Sequence, residues 1–421
     1  MKIAMLTNNY RPFVGGVPIS VERQAQYLIE RGHEVTVFAP EYHETMEDRE
    51  CPERVVRFHT RKRTMENGMV YPAVLIQEVT DVFERESFDL IHVHHPMFTG
   101  PCALYLGKKY GIPVVYTWHT RYEDYLHYIR CLKLREKSPW FKRRLISLMK
   151  ERLVPQYMRW FTNQCDIVLA PSRGMKEQIL VNGTYTRTEV FPTGLAEEFY
   201  TRSPKRSGEI RRKYLNGRKY LLCSVFRLEM EKNPLFLLEG IAELKKYVAG
   251  GFRVLLIGDG SLREELKKRA EDLDLSEDVV FVGNIANEEV REYLQACDLF
   301  LFASKSETQG IVLAEAMAVG LPVNAVRAVG VDDVVENGYN GFATPEDTEI
   351  WAESAAAALE AKTHGAMRAH AEETAMRYKA RVLAAREEEL YRQCIARKQA
   401  EIRADRERRA EWTFRERRSR I

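Results

Sequence analysis

At the start of the chain, apolar residues follow two different spacings. Residues 3–6 form a short apolar run, as in a buried strand, and a glycine turn follows at Gly15 and Gly16. Apolar positions then recur at helical spacing as far as Arg31 and Gly32, a cation and a glycine that are typical of a helix end. Residues 34–38 are strand-like again, so the pattern predicts a β-α-β unit.

The same plan returns in the second half of the chain. Residues 220–225 predict a strand, and a polar turn follows it. Asn233 and Pro234 then look like the N-cap and the first-turn proline of a helix, after which residues 252–257 supply the next strand. Two such beginnings predict two doubly wound domains.

Further apolar runs alternate with helical segments in both halves. The other predicted strands are residues 90–94, 113–117, 167–170, 279–282, 299–302 and 322–323. This alternation favours parallel sheets with helices on both faces, where ligands bind beyond the carboxyl ends of the strands. We therefore predict an α/β protein with a first domain over residues 1–198, a second over 199–365, and a helical extension with a basic tail over 366–421.

Composition is consistent with two or three reduced, globular domains. A chain of 421 residues is too long for one core, and its hydrophobic fraction of 45% is ordinary. The seven cysteines are scattered singly, which argues against a disulfide framework or a zinc ribbon. No apolar run approaches the roughly 20 residues that cross a bilayer, and the start reads as a strand rather than a cleaved leader. We expect a cytoplasmic protein, peripheral on the inner face of the cell membrane.

The membrane expectation comes from the distribution of charge. The net charge is +3, but residues 130–160 hold ten Lys and Arg against two Glu, and residues 397–421 hold ten against five acidic residues. Helical spacing in the first segment separates an apolar set from a cationic set: Phe141, Leu145, Leu148 and Met149, and Arg143, Arg144 and Lys150. Such a helix suits an anionic membrane surface, where each cation adds roughly 1 kcal/mol. The alternative is an amphipathic helix packed on its own domain. Nucleic acid is disfavoured, because no recognised module accompanies the charge.

The strongest chemical signal begins at Glu307. A predicted strand ends at residue 302, a polar loop follows, and a helix opens near Gly310. Free backbone N–H groups and the positive helix end suit an anion there, and glycine allows close approach. Glu307 in the loop and Glu315 in the helix offer carboxylates to sugar hydroxyls. The other residues of this junction are Thr308, Gln309 and Ile311.

A pair of cations follows the first strand of the second domain. Arg227 offers a bidentate fork and Lys232 a point charge, in a turn where both can reach phosphates at the sheet edge. Both would stabilise a departing diphosphate, a task that a metal performs elsewhere. The alternative is that the charges only cap the following helix.

Both stretches resemble motifs of the family four retaining glycosyltransferases. Residues 307–318 resemble the Glu-x7-Glu motif with its Glu-Ala-Met-Ala tail, and residues 226–233 resemble Gly-Arg-Leu-x-x-Glu-Lys-Asn, with Phe226 where glycine is usual. The resemblance covers nearly all of residues 1–345. It implies the GT-B fold, with two Rossmann-like domains facing across a cleft and C-terminal helices crossing back to the first. It also implies a nucleotide-sugar donor, no required metal or other cofactor, and transfer with retention, in which the leaving phosphate helps to deprotonate the acceptor.

The resemblance extends to residues of the first domain. Gly15 and Gly16 resemble the family's Gly-Gly loop, which faces the donor diphosphate and the acceptor. His119 follows a predicted strand and matches the family histidine that approaches the donor sugar. The catalytic set that the resemblance implies is therefore His119, Arg227, Lys232 and Glu307.

A narrower resemblance concerns the acceptor. Residues 117–128, which include Tyr122, Asp124 and Tyr125, look like a segment of the bacterial 1,2-diacylglycerol 3-alpha-glucosyltransferases. This similarity implies UDP-glucose as donor and diacylglycerol as acceptor. Two alternatives stay open: transfer to a soluble or polyprenyl-linked glycan, and a non-catalytic sensor of sugar nucleotides.

Three other signals point to different chemistry and are rejected. Asp272 and Asp274 fit an Asp-x-Asp metal motif but end a charged helix. The cluster at His92, His94 and His95 has no carboxylate or cysteine spaced to complete a metal site. The sequence Gly258-x-Gly260 lacks the third glycine of a dinucleotide fingerprint, which disfavours an NAD-dependent dehydrogenase.

Overall fold

The computed structural model describes residues 1–13, 15–42, 52–64, 70–72, 76–124 and 139–418, and the chain forms two compact units. Unit 1 comprises Met1–Pro171, Lys176–Phe191 and Arg381–Ile421. Unit 2 comprises Ser172–Met175 and Pro192–Ala380. Each unit is built on its own parallel sheet, which confirms the predicted α/β class.

Unit 1 contains a seven-stranded parallel sheet and a small antiparallel hairpin. Its strands are β1 (Lys2–Leu6), β2 (Glu34–Pro40), β3 (Arg54–Phe58), β4 (Thr60–Thr64), β5 (Val70–Pro72), β6 (Leu90–Val93), β7 (Val114–Thr117), β8 (Ile167–Ala170) and β9 (Thr188–Val190). The sheet order is β3-β2-β1-β6-β7-β8-β9, and β4 pairs with β5. The order reverses between β1 and β6, so the loops that leave these two strands flank a crevice of the kind that binds ligands.

Helices connect the strands of this unit. They are α1 (Gly16–Glu30), α2 (Gln77–Arg85), α3 (Thr99–Tyr110), α4 (Trp140–Leu148), α5 (Val154–Thr162) and α6 (Arg173–Val181). A π-helical turn, Met149–Leu153, joins α4 to α5. The central strands are buried along their whole length, as the continuous apolar runs predicted.

Unit 2 repeats the plan with six parallel strands. These are β10 (Tyr220–Val225), β11 (Phe252–Ile257), β12 (Val279–Gly283), β13 (Leu299–Phe302), β14 (Val323–Val326) and β15 (Gly341–Thr344), in the order β12-β11-β10-β13-β14-β15. The helices are α7 (Pro204–Leu215), α8 (Pro234–Leu244), α9 (Arg263–Asp272), α10 (Val290–Gln295), α11 (Ile311–Ala318), α12 (Thr348–Leu359) and α13 (Ala361–Ala375). The order reverses between β10 and β13.

One predicted helix cap differs in detail. Asn233 does precede α8 and Pro234 is its first residue, but Asn233 adopts a left-handed backbone with φ of 56° and makes no capping hydrogen bond. Its side-chain amide instead donates to Glu346 Oε1 at 2.7 Å. Asn233 and Pro234 thus occupy the predicted N-cap and first-turn positions, but Asn233 does not cap the helix through its side chain, because the left-handed turn directs the amide to another loop.

The last helix, α14 (Ala380–Arg418), returns the chain to unit 1, as the family resemblance implies. Leu383, Leu390 and Tyr391 join the same buried cluster as residues of β1, β2 and β8. Polar contacts accompany this packing: the Tyr391 hydroxyl donates to Glu387 Oε1 at 2.7 Å and lies 2.6 Å from His92 Nδ1. The helix is thus attached to the sheet by both apolar and polar side chains.

Two neighbouring glutamates on α14 respond oppositely to their surroundings. Burial raises the pKa of Glu387 to about 7, whereas hydrogen bonds from Arg392 and Arg31 lower the pKa of Glu388 to about 2. The folded protein therefore holds a proton on Glu387 more tightly than the unfolded chain, and this stability is lost as pH rises from about 4.5 to about 7. Glu388 contributes stability above about pH 4.5 that is lost as the pH falls towards 2.

We expect Glu387→Gln to raise the free energy of unfolding above neutral pH, because the amide needs no ionisation in a buried position. The gain has an upper limit of roughly 3 kcal/mol, at about 1.4 kcal/mol for each unit of pKa shift. It should vanish near pH 4.5, where Glu387 is protonated in the fold. Urea denaturation at both ends of this range measures it, with Glu388→Gln as a matched control that should lower stability at alkaline pH. Equal stability of wild type and Glu387→Gln above pH 7 would contradict the burial argument.

Candidate active site

The predicted residues of unit 2 meet at the reversal of its strand order. Arg227 and Lys232 lie in the loop after β10, and Glu307 lies in the loop after β13. Because β10 and β13 are adjacent and parallel, both loops leave the same edge of the sheet. Residues 75 positions apart in the sequence, Lys232 and Glu307, therefore come into contact.

Lys232 and Glu307 form a close ion pair. Lys232 Nζ donates to Glu307 Oε1 at 2.5 Å, and their side chains are only 15% and 18% exposed. Burial alone would raise the pKa of Glu307, but Lys232, Ser304 and Arg227 outweigh it and hold this pKa below its ordinary value. The carboxylate is thus ionised at neutral pH, and the lysine is positioned by it at the open end of the sheet.

Arg227 is oriented by a residue that the sequence analysis did not single out. Arg227 Nη2 lies 3.1 Å from Glu231 Oε1, and the Glu231 side chain is 9% exposed whereas that of Arg227 is 48% exposed. The Ser306 hydroxyl donates to the Glu231 carbonyl at 3.2 Å, which joins the two loops. A buried carboxylate thus holds an exposed guanidinium beside the Lys232–Glu307 pair.

The helix α11 begins where the sequence predicted. Gly310 precedes it with φ of 71°, a left-handed conformation that favours glycine, and Ile311 is its first residue. The first backbone N–H groups of a helix have no partner within it, so they point from α11 towards the loop. Glu315 lies in the second turn and is half-buried, as are Thr308 and Ile311.

Gln309 is held by its side chain. Its Oε1 accepts the Thr193 N–H at 2.7 Å, and its Nε2 donates to the Thr193 carbonyl at 3.0 Å. The Ser172 hydroxyl donates to the neighbouring Thr308 carbonyl at 2.6 Å. These contacts brace the loop and occupy the Gln309 side chain.

Phe226, which replaces the glycine usual in the motif, fits without strain. Its N–H donates to the Ile257 carbonyl at 3.0 Å, and its ring packs partly buried against the core. The backbone of this loop instead passes close to Gly258. A Cβ on Gly258 would lie 2.1 Å from the Phe226 carbonyl oxygen. Gly258 therefore packs one loop against another, and the backbone around Arg227 follows an ordinary path.

Unit 1 presents its own residues at the reversal between β1 and β6. Gly15 and Gly16 lie at the start of α1, and His119 follows β7. His94 Nδ1 lies 2.9 Å from His119 Nε2. Burial lowers the pKa of His119 to about 3 and that of His94 well below its ordinary value, so both imidazoles are neutral at physiological pH.

His92 and His95 form hydrogen bonds with other groups of the protein. His92 lies between the Tyr391 hydroxyl and Thr117 Oγ1, at 2.6 and 2.7 Å, and His95 Nδ1 accepts the Asn8 N–H at 3.1 Å. No group of three or more His, Cys, Asp and Glu side chains suited to a metal ion occurs in the ranges that the structure describes.

The predicted acceptor residues fall into two groups. Tyr122 and Asp124 belong to a short 3₁₀ turn after His119, where the side chain of Asp124 is outside the described part of the structure, as is the whole of Tyr125. Arg143, Arg144 and Lys150 are exposed on α4 and the π turn. Within the described residues, no helix is both long and apolar enough to span a bilayer.

Comparison with known proteins decides the family. A family model described as Glycosyltransferase Family 4 matches residues 14–199, and one described as glycosyl transferases group 1 matches residues 206–378. The chain belongs to glycosyltransferase family 4. It is therefore a hexosyltransferase that uses a nucleotide-sugar donor, which excludes the sensor alternative.

Relatives of this glycosyltransferase include two alpha-monoglucosyldiacylglycerol synthases. The one from Streptococcus pneumoniae is 28% identical over 77% of this chain and 71% of its own length. The one from Acholeplasma laidlawii is 26% identical over 83% of this chain and 86% of its own length. A solved structure of Anabaena Alr3699/HepE with UDP has a TM-score of 0.71 and 21% identity, and it covers 93% of this chain and 100% of that one. This likeness confirms the GT-B fold.

We expect Glu231→Gln to lower kcat of the glycosyltransferase about threefold to tenfold, because the charged contact that orients Arg227 weakens by roughly 1 kcal/mol. Steady-state kinetics with a nucleotide-sugar donor measures the effect. Glu229→Gln is the matched control: Glu229 lies two residues away but binds the Ser261 N–H and hydroxyl, at 2.9 and 2.6 Å. Equal losses in both variants would show that Glu231 has no special role.

Proposed function

We propose that this glycosyltransferase moves glucose from UDP-glucose to diacylglycerol at an anionic membrane surface, with retention of the anomeric configuration. The main support for a lipid acceptor is a stripe of exposed apolar side chains on the helical segment 140–162. The names of the two synthases related to the chain support the same acceptor.

The exposed stripe consists of Phe141, Leu145, Leu148, Leu153 and Trp160, between 43% and 62% exposed. Trp140, at the start of the segment, is 73% exposed. No residue of α4 is buried, whereas α5 packs Val154, Met158 and Phe161 on the core. An apolar face of this extent is unusual for a soluble surface and is typical of an interfacial helix.

The π turn keeps the stripe on one side of the helix. Leu148 and Leu153 are five residues apart, which is the hydrogen-bond spacing of a π-helix and slightly more than one of its turns. In an uninterrupted α-helix they would be about 140° apart around the axis. Phe141 and Leu145 precede them at α-helical spacing, and Trp160 follows two α-turns later. The segment therefore presents a continuous apolar edge roughly 30 Å long.

Cations accompany the stripe. Arg143, Arg144 and Lys150 are all exposed on α4 and the π turn. Cations near an anionic leaflet contribute roughly 1 kcal/mol each, in addition to the burial of the apolar side chains. The segment thus fits a lipid surface better than it fits a soluble glycan.

In the proposed reaction, the bond between the anomeric carbon and the diphosphate breaks as the acceptor oxygen bonds to the same face of that carbon. Lys232 and Arg227 stabilise the negative charge that develops on the diphosphate, together with the N–H groups at the start of α11. The departing phosphate oxygen takes the proton of the acceptor hydroxyl. Glu307 and Glu315 accept hydrogen bonds from hydroxyls of the donor, and neutral His119 contacts the sugar.

A radiolabel assay tests the proposal. Purified protein is incubated with labelled UDP-glucose, UDP-galactose or GDP-mannose and with vesicles that contain diacylglycerol and an anionic lipid. We expect organic-soluble label from UDP-glucose alone, as an α-glucoside, with the protein sedimenting with the vesicles. Label confined to water-soluble products, without vesicle binding, would overturn the lipid acceptor.

A further inference from the structure

Three imidazoles in unit 1 form a row, the histidine row, consisting of His92, His94 and His119. The ring centroids of His92 and His94 are 4.2 Å apart, and those of His94 and His119 are 5.2 Å apart. His92 and His94 are completely buried, whereas His119 is partly exposed. The row therefore links the interior of the unit to the residue that we place at the donor sugar.

The hydrogen bond between His94 and His119 has a preferred direction. A neutral imidazole has one N–H and one acceptor nitrogen, so either His94 Nδ1 or His119 Nε2 carries the shared proton. Among the residues that the structure describes, His94 Nε2 is buried and has no hydrogen-bond partner. If His119 donated, the His94 proton would lie on Nε2 as an unpaired buried N–H, which is rarer and costlier than an unpaired acceptor. The geometry thus favours donation from His94 Nδ1–H.

This direction determines the tautomer of His119. With Nε2 accepting from His94, the single ring proton of neutral His119 is on Nδ1. A free histidine side chain favours the opposite tautomer, with its proton on Nε2. Contact with His94 therefore selects a form that the isolated residue would not favour.

The inner end of the row is fixed from α14. The Tyr391 hydroxyl donates to Glu387 Oε1, so its oxygen accepts from His92 Nδ1–H at 2.6 Å. His92 Nε2 then accepts from the Thr117 hydroxyl at 2.7 Å, and Thr117 is the last residue of β7, two residues before His119. The C-terminal helix is thus connected by hydrogen bonds to the strand end that carries His119.

We propose that His94 is a positioning residue that holds His119 as the Nδ1–H tautomer, and that Tyr391 on α14 supports it through His92 and Thr117. The proposal rests on the proposed function, in which neutral His119 contacts the donor sugar. It assigns a role in the reaction to the C-terminal helix, beyond packing on the first unit.

Two substitutions distinguish the hydrogen bond that His94 donates from the space that its side chain fills. His94→Leu removes the donor to His119, whereas His94→Asn places an amide N–H close to the position of Nδ1. We expect His94→Leu to lower kcat by about 10- to 100-fold with little change in KM for the donor, by analogy with the range found when a metal-binding histidine loses its hydrogen-bond partner. His94→Asn should recover most of this loss. His33→Leu, which removes a different buried histidine, controls for general destabilisation.

The direct readout is the tautomer of His119, measured by nitrogen NMR of the full protein with labelled histidine rings. The signal is assigned with His119→Gln. We expect the Nδ1–H form in wild type and in His94→Asn, and a shift towards the Nε2–H form in His94→Leu. An Nε2–H tautomer in wild type, or no change in His94→Leu, would overturn the proposal.

Tyr391→Phe tests the contribution of α14. The loss of the hydroxyl should lower kcat about threefold to tenfold. The melting temperature should also fall, because the buried His92 Nδ1 and Glu387 Oε1 lose this hydrogen-bond partner, so kcat is measured well below the melting temperatures of both proteins. Unchanged kcat would overturn the role assigned to Tyr391. The NMR measurement requires no acceptor, so failure of glucose transfer to diacylglycerol would refute the proposed function without deciding the question of His94.

Discussion

Lys232→Ala is expected to reduce kcat by about 10²- to 10³-fold, because the variant loses a preorganised cation at the site where the leaving diphosphate gains charge. The loss should appear in kcat more than in KM, since the charge on the bridging oxygen grows only as the bond to the sugar breaks. Single-turnover kinetics with a saturating nucleotide-sugar donor measures it.

A neighbouring lysine provides the control for Lys232. Lys305 Nζ binds Glu346 Oε2 at 2.7 Å, and this pair is largely exposed, at 52% and 39%. An exposed ion pair contributes roughly 0 to 1 kcal/mol, so Lys305→Ala should change kcat less than about threefold. If Lys232→Ala had an equally small effect, Lys232 would not be a catalytic residue. The melting temperature of both variants shows whether removal of the partner of Glu307 has instead unfolded the site.

Membrane binding should depend strongly on the cations beside the exposed stripe. Reversing three charges on the exposed stripe's segment, with Arg143→Glu, Arg144→Glu and Lys150→Glu, should weaken binding to anionic vesicles by at least about 100-fold, at roughly 1 kcal/mol for each cation lost. Transfer to diacylglycerol in vesicles should fall with it, whereas hydrolysis of the donor in solution should not. Vesicle sedimentation at several salt concentrations measures the binding.

A matched set of substitutions lies on α7 of unit 2. Lys205, Arg212 and Lys213 are exposed there, so converting them to Glu makes the same change in net charge. This control should bind vesicles about as strongly as wild type, because no apolar stripe accompanies those cations. Equal weakening in both sets would mean that net charge alone, rather than the segment 140–162, governs the binding.

The sequence was informative wherever one local pattern determined the outcome. The apolar runs predicted the central strands of both sheets, and the loop-to-helix junction placed Gly310 at the start of α11. The sequence placed Arg227, Lys232 and Glu307 in loops after strands, but the direct ion pair of Lys232 with Glu307 depends on the order of the strands, which the structure supplies.

Local sequence patterns could not predict contacts between segments that are far apart in the sequence. Tyr391 lies 299 residues from His92, and nothing in the local sequence of either residue indicates that they meet. The same holds for the Gln309 side chain, whose partner Thr193 lies 116 residues away. The π turn was also missed, because a single extra residue within a helix leaves no compositional signal.

The charge pattern alone left open whether the basic helix packs on its own domain. The answer depends on which side chains the rest of unit 1 covers, and that is a property of packing. The structure leaves Phe141, Leu145 and Leu148 exposed and buries only one face of α5. Exposure of the apolar side, more than the presence of cations, is what supports a lipid surface.

A crystal structure of the protein with UDP would show directly whether the Lys232–Glu307 region binds the donor. We predict the diphosphate at the carboxyl ends of β10 and β13, within hydrogen-bonding distance of Lys232 Nζ, Arg227 and the first N–H groups of α11. A diphosphate bound elsewhere, with Lys232 still paired to Glu307 and distant from it, would show that this pair does not bind the donor.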